Sequence, residues 1–538
     1  MVTERIKMNM LRRIAVGDLL RNHSKRFPDK LSFVWAPKEG EPTEYTYGEL
    51  NRAVNRLANG LSSLGIGKGD CVGICSLNTR QIALVFAVAK IGAHITPVNP
   101  MLEKESFTYI VKQAEMKLLF IEDTFIDKFS KFLPEVPEVG KFGYIRISGN
   151  DVPSDWVDID ELFNKYPNEE EPEVEIDGED MLTLTYTSGT EAFPKGVVLT
   201  HSNWYAAAMA VQADSYKGIH EYDVMLESLP MFYTGGACVG IYPLLIGATV
   251  VKTYMPDTPR MVEMMKRYKT TYTVLPPTIY LRLLETPGIE EGAKSFRRLL
   301  SFGAPITEGM INGWNKIAPH VQWVSLYALS EPVCFGTVGL FKTIDDIPER
   351  DLGWVGIPAP NLEMRLVDDN DNEVPRGEIG EITFRGPTLL KEYYKDEEKT
   401  RKAFANGWFH TGDLGRLNER GELIFADRKK DMVKSGGENI PCASVEFVVS
   451  SHPKVAEVAA FGVPHPDWME ALTVAVKPIE GDTPTEEEII QHCRERLPRF
   501  KVPKYVIIVD EFPRTETGKI LKRELRKIYA NLAFQGGK

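Results

Sequence analysis

The residues best suited to chemistry in this chain gather in one segment, Leu182–His201, which reads LTLTYTSGTEAFPKGVVLTH. Alternating Leu, Thr and Tyr predict a strand. Ser188, Gly189 and Thr190 follow, then Pro194, Lys195 and Gly196, and an apolar run resumes the strand pattern. A loop of this kind offers backbone N–H groups and hydroxyls to an anion, and its lysine adds positive charge, so a phosphate-bearing ligand is one reading. A tight hairpin with an exposed lysine is the other. The segment is not a Walker A loop, which needs GxxxxGK[ST] opening a helix; here proline precedes the lysine and glycine follows it. Elsewhere the signals are single side chains. Glu331 and Asp413, taken alone, read as solvated or capping acids. Lys519 sits in a basic run with Lys522, Arg523, Arg526 and Lys527 that would suit a solvated helix face, and only the flanking Thr515-Glu-Thr-Gly518 sets it apart. His201 and His410 read as structural hydrogen-bonding groups rather than bases. No GxSxG occurs, so serine-hydrolase chemistry has no support.

Such groups need a scaffold, and the patterning is that of an α/β protein. Thr46-Tyr-Gly-Glu49 is a capping box, and Leu50, Val54, Leu57, Leu61 and Leu64 continue it as one apolar helix face. Gly65 ends that helix, and Cys71–Cys75 reads as the next strand. Gly65, Gly67 and Gly69 lack the GxGxxG spacing and read as turn glycines. A second helix–strand pair spans Ile82–Lys90 and the run from Ile95, and the alternation resumes from about residue 180 to 332. From Leu352 to Phe425 short strands alternate with turns such as DDND and NERG, a β-rich texture. Beyond Asp427–Asp431 lies a compact unit with strands at Val455–Val463, Leu472–Val476 and Tyr505–Val509, and a helix opened by Thr485-Glu-Glu-Glu488.

Composition narrows the function. The 538 residues carry 64 Lys plus Arg against 76 Asp plus Glu, a net charge of −12, which argues against nucleic acid as the main partner. Six cysteines without a CxxC pair suggest reduced, buried thiols and a cytosolic setting. Met1–Arg13 lacks the apolar core of a signal peptide. Ser228–Val251 is uncharged and long enough to span a bilayer, but Pro230, Pro243 and its glycines make it loop, helix and buried strand instead. A transmembrane segment is therefore not expected, while peripheral contact with a membrane stays open.

TSGTxxxPKG resembles the phosphate loop of the acyl-adenylate-forming (AMP-binding) superfamily, which includes acyl-CoA synthetases, peptide-synthetase adenylation domains and beetle luciferases. Further matches follow in the family's order along nearly the whole chain. Ser301-Phe-Gly-Ala-Pro305 is similar to its adenine-edge segment, Tyr327-Ala-Leu-Ser-Glu331 to its Y-G-x-T-E motif, and Gly377-Glu-Ile-Gly-Glu381 to its G-E-x-G-E turn. Gly407–Asp413 resembles the ribose-binding motif, Asp427–Asn439 the hinge segment, and Pro513–Lys519 the C-terminal lysine loop. The resemblance implies a large N-terminal domain of layered α/β subdomains plus a β-rich subdomain, residues 1–429, and a small mobile α+β C-terminal domain, residues 430–538, pivoting at Lys430. It also implies roles. Thr187, Ser188, Gly189, Thr190, Pro194 and Lys195 would hold the β- and γ-phosphates of ATP, and Glu331 would ligate Mg²⁺. Ser330 would bind the α-phosphate, Tyr327 would stack on adenine beside Gly303, Ala304 and Pro305, and Asp413 would take the ribose hydroxyls with help from Arg428. Lys519 would meet the carboxylate and the α-phosphate. Tyr233, Gly235 and Phe302 would border the acyl group, and Gly437 the pantetheine tunnel of CoA.

The chain departs from the family pattern at Glu191, Ala192, Ala328, Glu392 and Ser444, none of which removes a core catalytic group. Tyr233 stands where many fatty-acyl and aryl ligases have histidine. No aspartate is placed there to pair a substrate ammonium, which disfavours amino acids. Asn406–Asp413 with Asp427–Met432 resembles the stretch typical of fatty-acyl-CoA synthetases. The expectation is an AMP-forming, cytoplasmic fatty-acid–CoA ligase using ATP, Mg²⁺ and CoA. An aryl-CoA or carrier-protein ligase is the alternative within the family, and a nucleotide-binding regulator with a decayed site the alternative outside it. Acyl length and oligomeric state are left open.

Overall fold

The computed structural model describes residues 4–77, 80–187, 193–213, 218–303, 306–436, 438–514 and 520–532. Ser188, Gly189, Thr190, Glu191, Ala192, Ala304, Pro305, Gly437 and Lys519 lie outside them. The chain forms two compact units, one of Met1–Glu363 with Phe384–Phe409, the other of Met364–Thr383 with His410–Lys538.

The larger unit is built on two sheets. The first is eight-stranded, in the order Glu392–Tyr393, Lys195–Thr200, Met181–Thr187, His94–Val98, Cys71–Cys75, Met116–Glu122, Lys141–Ile145 and Val157–Asp158. It is parallel from Met181–Thr187 onward, and the strands of the sequence's TSGT segment join it as an antiparallel hairpin, Thr187 opposite Lys195. The second sheet has a parallel centre. Gln322–Tyr327, Arg298–Ser301, Tyr272–Leu275, Val224–Glu227, Thr249–Thr253 and Leu31–Ala36 lie side by side, with antiparallel strands at its flanks. Parallel strands buried on both faces read as continuous apolar runs, as Cys71–Cys75 does; Thr249–Thr253 is equally buried but carries Lys252.

Local signals behave as their chemistry requires. Thr46 and Glu49 form a reciprocal capping box that opens the helix Tyr47–Ser63. Gly92, at φ +69°, closes the helix Gln81–Ile91 in the left-handed conformation that glycine tolerates. That helix is buried on every side, packing against the helices Tyr47–Ser63 and Thr234–Leu245, so it shows no amphipathic stripe. The uncharged stretch 228–251 resolves into a loop, the helix Thr234–Leu245 and a buried strand. No helix among the described residues is long and apolar enough to cross a membrane.

In the smaller unit Phe409–Leu417 pairs antiparallel with Leu423–Arg428. A five-stranded sheet follows, centred on Val455–His465 and Met469–Pro478 and covered by the helices Cys442–Ser450, Glu486–Arg494 and Lys522–Ile528. Thr485 and Glu488 cap Glu486–Arg494 reciprocally. The compact units divide earlier in the chain than residue 430. The strand Leu423–Arg428 contacts the helix Cys442–Ser450, and the buried Asp427 carboxylate accepts from the Ala443 N–H (3.2 Å), which ties the strands carrying Asp413 and Arg428 into the smaller unit.

Candidate active site

Ligands of parallel α/β sheets lie beyond the carboxyl ends of the strands, and the candidate residues of the larger unit cluster there. Thr187 ends Met181–Thr187, Tyr327 ends Gln322–Tyr327, and Phe302 and Gly303 follow Arg298–Ser301. Lys195 begins the return strand of the hairpin. Its ammonium donates to Glu331 Oε1 (2.9 Å) and to the Tyr393 hydroxyl (2.9 Å), and Tyr393 donates to the same Oε1 (2.9 Å). Glu331 and Tyr393 are buried, and the ammonium lies 4.3 Å from the Tyr393 ring centre. Backbone pairing sets up this triad. The segment around Tyr393 runs antiparallel to Lys195–Thr200, and the Leu390 N–H donates to the Glu331 carbonyl (2.7 Å). A polar cavity of about 270 Å³, lined in part by Lys195, Tyr393, Asp396 and Lys399, adjoins it. The Thr187 hydroxyl is buried with no partner among the described residues.

The chain after Glu331 is strained. Val333 and Cys334 adopt φ of +50° and +59°, a costly conformation for a β-branched residue. The Tyr242 hydroxyl and the Cys238 thiol both donate to the Val333 carbonyl, and the Cys334 N–H donates to the Leu329 carbonyl (2.8 Å), so packing holds the turn. Ser330, just before Glu331, accepts from the Thr234 hydroxyl (3.0 Å). Thr234 opens the helix Thr234–Leu245, which roofs an apolar cavity of about 260 Å³. Tyr233, Gly235, Phe302 and Ser330 all line it, Tyr233 at an exposed edge. A Cβ on Gly236 would lie 2.2 Å from the Pro230 carbonyl oxygen, so that glycine permits close packing. Gly235 instead faces open space, with only the Phe302 ring at 3.9 Å. Tyr327 is buried, its ring 6.2 Å from that of Phe384, and Gly303 takes a left-handed φ of +81°.

A buried ion pair fixes the loop between the cavity and its sheet. Lys252 donates to Glu227 Oε1 (3.0 Å) and to the Leu229 carbonyl (2.7 Å), while the Leu229 N–H donates back to Glu227 (2.8 Å). Neither side chain touches solvent. Burial pushes the Glu227 carboxyl up and the Lys252 ammonium down, and each draws the other back toward its charged form.

In the smaller unit Asp413 and Arg428 sit opposite each other in register, with Arg428 Nε 4.0 Å from Asp413 Oδ1. Glu381, the last residue of the GEIGE turn, binds this region together. It accepts from the Gly412 N–H (3.1 Å) and the Lys429 ammonium (3.0 Å) and lies 3.5 Å from His410 Nδ1. Lys430 is exposed, and its carbonyl accepts from Arg526 (3.1 Å). Two organising residues, Tyr393 and Glu381, were not assigned roles from the sequence. Tyr393 falls in KEYYKD, which carries no periodic or motif signal, and Glu381 was visible only as part of a turn.

A two-unit α/β enzyme with polar groups on strand ends beside an apolar cavity is the class this architecture defines. Residues 20–394 match the AMP-binding enzyme family and residues 444–519 the AMP-binding enzyme C-terminal domain, so the chain belongs to the AMP-binding enzyme family. Among its relatives, the long-chain-fatty-acid–CoA ligase FadD13 of Mycobacterium tuberculosis is 32% identical over 522 residues, covering 96% of this chain and 98% of that protein. An indoleacetate–CoA ligase of Aromatoleum aromaticum is 30% identical over 497 residues, covering 91% and 94%. The crystal structure of ATP-bound MatB from Rhodopseudomonas palustris superposes with a TM-score of 0.82 at 26% identity, covering 96% of this chain and 99% of that one.

Proposed function

We propose that this protein is an AMP-forming fatty-acid–CoA ligase. The observation that carries it is the adjacency of two unlike environments: a charged Lys195–Glu331–Tyr393 cluster and, one residue away at Ser330, an apolar cavity. An acid with a hydrocarbon tail needs the second, and a triphosphate needs the first. In the first half-reaction a carboxylate oxygen of the acid attacks the α-phosphorus of ATP. The bond to the β-phosphate breaks, pyrophosphate leaves, and an acyl-AMP mixed anhydride forms. In the second, the thiol of CoA attacks the acyl carbon and AMP leaves.

Charge builds on phosphate in the first step, and the protein's part is positioning and charge stabilisation. Thr187 and Lys195, with Ser188, Gly189, Thr190 and Pro194, would hold the outer phosphates. Ser330 would meet the α-phosphate, and Tyr327 with Gly303, Ala304 and Pro305 would receive adenine. Asp413 and Arg428 would hold the ribose, and Lys519 would neutralise the reacting oxygens. Glu331 suits Mg²⁺: both of its hydrogen bonds fall on Oε1, so Oε2 keeps a lone pair for a hard cation. No three acidic, histidine or cysteine side chains converge among the described residues, so the phosphates and water would complete the cation's shell. When bound, the cation supplies positive charge against the phosphates. Lys430 would be the pivot that brings first Lys519 and then Gly437 to the reacting group, with residues 430–538 as the moving domain. All six cysteines are free, which supports a reducing, cytoplasmic setting.

Pyrophosphate release with ATP and Mg²⁺, measured across straight-chain fatty acids, benzoates and phenylacetates with and without CoA, tests this function. Turnover with fatty acids that requires CoA is the expected result. A maximum with aryl acids would move the protein to the aryl-CoA ligases, and silence from every acid despite ATP binding would leave a nucleotide-binding protein without ligase activity.

A further inference from the structure

We propose that the acyl cavity accepts straight chains of up to about ten carbon atoms and excludes the long chains named for FadD13. The inference rests on that cavity being the acyl site of the ligase proposed above. Its floor is one face of the parallel sheet, where Val274, Leu300 and Val324 stand in register as an apolar row. Side chains two residues apart on a strand share a face. Two residues toward the start of each strand, the same register therefore aligns Tyr272, Arg298 and Gln322. Of these three only Tyr272 lines the cavity, beside Met225 in register with it, so on the strands of Leu300 and Val324 the apolar lining stops at those two residues.

This deep wall is also braced. Arg297 pairs with the buried Asp223 and donates to the carbonyl of Gly218 (3.1 Å), which itself lines the cavity. Asp223 in turn accepts from the Thr271 hydroxyl (2.7 Å). A hydrocarbon end pushed past Leu300 would strip water or hydrogen-bond partners from polar groups without replacing them, which is unfavourable. The roof is fixed as well, because the Tyr242 hydroxyl is bonded to the Val333 carbonyl.

Two measures of size agree. From Phe302, just past the strand Arg298–Ser301, to the row of Arg298 is a step of four residues, about 13 Å at strand rise. An apolar cavity of about 150 Å³ takes up benzene, six carbon atoms, so by the same measure a cavity of about 260 Å³ takes about ten.

The test is kcat/KM for CoA-dependent pyrophosphate release with hexanoate, octanoate, decanoate, laurate and palmitate. A maximum at octanoate or decanoate, with palmitate at least tenfold below it, is expected. Palmitate equal to or better than decanoate would overturn the size limit while leaving the ligase function standing. Absence of release with every one of these acids would defeat the fatty-acid ligase function itself, and the limit with it. Val274→Phe, which fills the deep end, should lower decanoate relative to hexanoate at least tenfold. Should that variant not fold, Leu300→Ala, which enlarges the same region, should raise laurate relative to octanoate. General damage to the fold would lower all acids alike, so an unchanged ratio in the folded variant would count against the proposal.

Discussion

Tyr393 links a cation to an anion through one oxygen, accepting from Lys195 and donating to Glu331. Removing that oxygen in Tyr393→Phe leaves both charges in place but frees their geometry. Hydrogen bonds to charged groups contribute about 1.5–3 kcal/mol, so kcat/KM should fall roughly 10- to 100-fold. The apparent Mg²⁺ requirement should rise with it, because Glu331 would no longer be held. Titrating Mg²⁺ in the pyrophosphate assay checks this, and a loss below about threefold would show that Lys195 alone orients the carboxylate. Gly235→Val tests the other side of Ser330. A branched side chain there enters the cavity, so KM for the acid should rise while KM for ATP stays as it was, and parallel changes in both would contradict the separation of the two sites. At this scale Lys195, Glu331 and Ser330 were legible because the TSGTxxxPKG and YALSE segments advertise them. Tyr393 was not, since its role comes from a strand pairing across nearly two hundred residues of chain that leaves no local pattern.

The elements around the cavity owe their placement to a pair of charges that the sequence displays but does not explain. Glu227 and Lys252 bracket the uncharged stretch Ser228–Val251, and in the fold they close it into a loop, helix and strand by pairing with each other. Hydropathy reveals the stretch and its glycines and prolines reveal the breaks within it. The pairing depends on parallel register between Val224–Glu227 and Thr249–Thr253, which hydropathy does not contain. The register row Tyr272–Arg298–Gln322 leaves no trace in the sequence pattern for the same reason, as three strands each contribute one member. Helix capping, by contrast, is written within four residues, so the boxes at Thr46 and Thr485 were legible in full. Removing one partner of a buried pair strands the other charge, so Lys252→Met should destabilise the larger unit by about 3–5 kcal/mol. Replacing both, as Glu227→Leu with Lys252→Met, should recover much of that loss in denaturant melts. The double variant should nevertheless keep a raised KM for the acid, because the Leu229 carbonyl loses its anchor. A double variant no more stable than the single one would mean that the pair contributes shape rather than charge balance.

Across the whole molecule two kinds of behaviour follow, one from the proposed division of the chemistry between domains and one from what the larger unit buries. If Lys519 serves only the first half-reaction, Lys519→Ala should abolish adenylation yet still convert supplied acyl-AMP and CoA to thioester, and equal loss of both steps would refute that division. Stability should depend on acid for a different reason. His94 and His201 are buried in the larger unit, and burial lowers both imidazoles to about 4. His201 accepts the Val16 N–H through Nδ1 (3.1 Å), a bond that only the neutral ring can make. In the unfolded chain these groups take up protons near pH 6.5, whereas the folded protein refuses them until about pH 4. Between those values the unfolded state binds more protons, so stability falls as pH drops, by up to about 1.4 kcal/mol per pH unit for each histidine. At pH 5 the two together would cost roughly 4 kcal/mol relative to pH 7, a sizeable part of a typical folding free energy. The fully buried tryptophans Trp204, Trp314 and Trp323 all belong to this unit, so their fluorescence in urea reports its unfolding. Buried Glu227 resists ionisation and shifts stability with the opposite sign, so total slopes alone do not isolate the histidines. His201→Asn does, because its amide oxygen can still accept from Val16 without titrating. That variant should lose a share of the slope between pH 7 and pH 5 about equal to that of His94, and an unchanged slope would mean that His201 takes its proton before the unit unfolds.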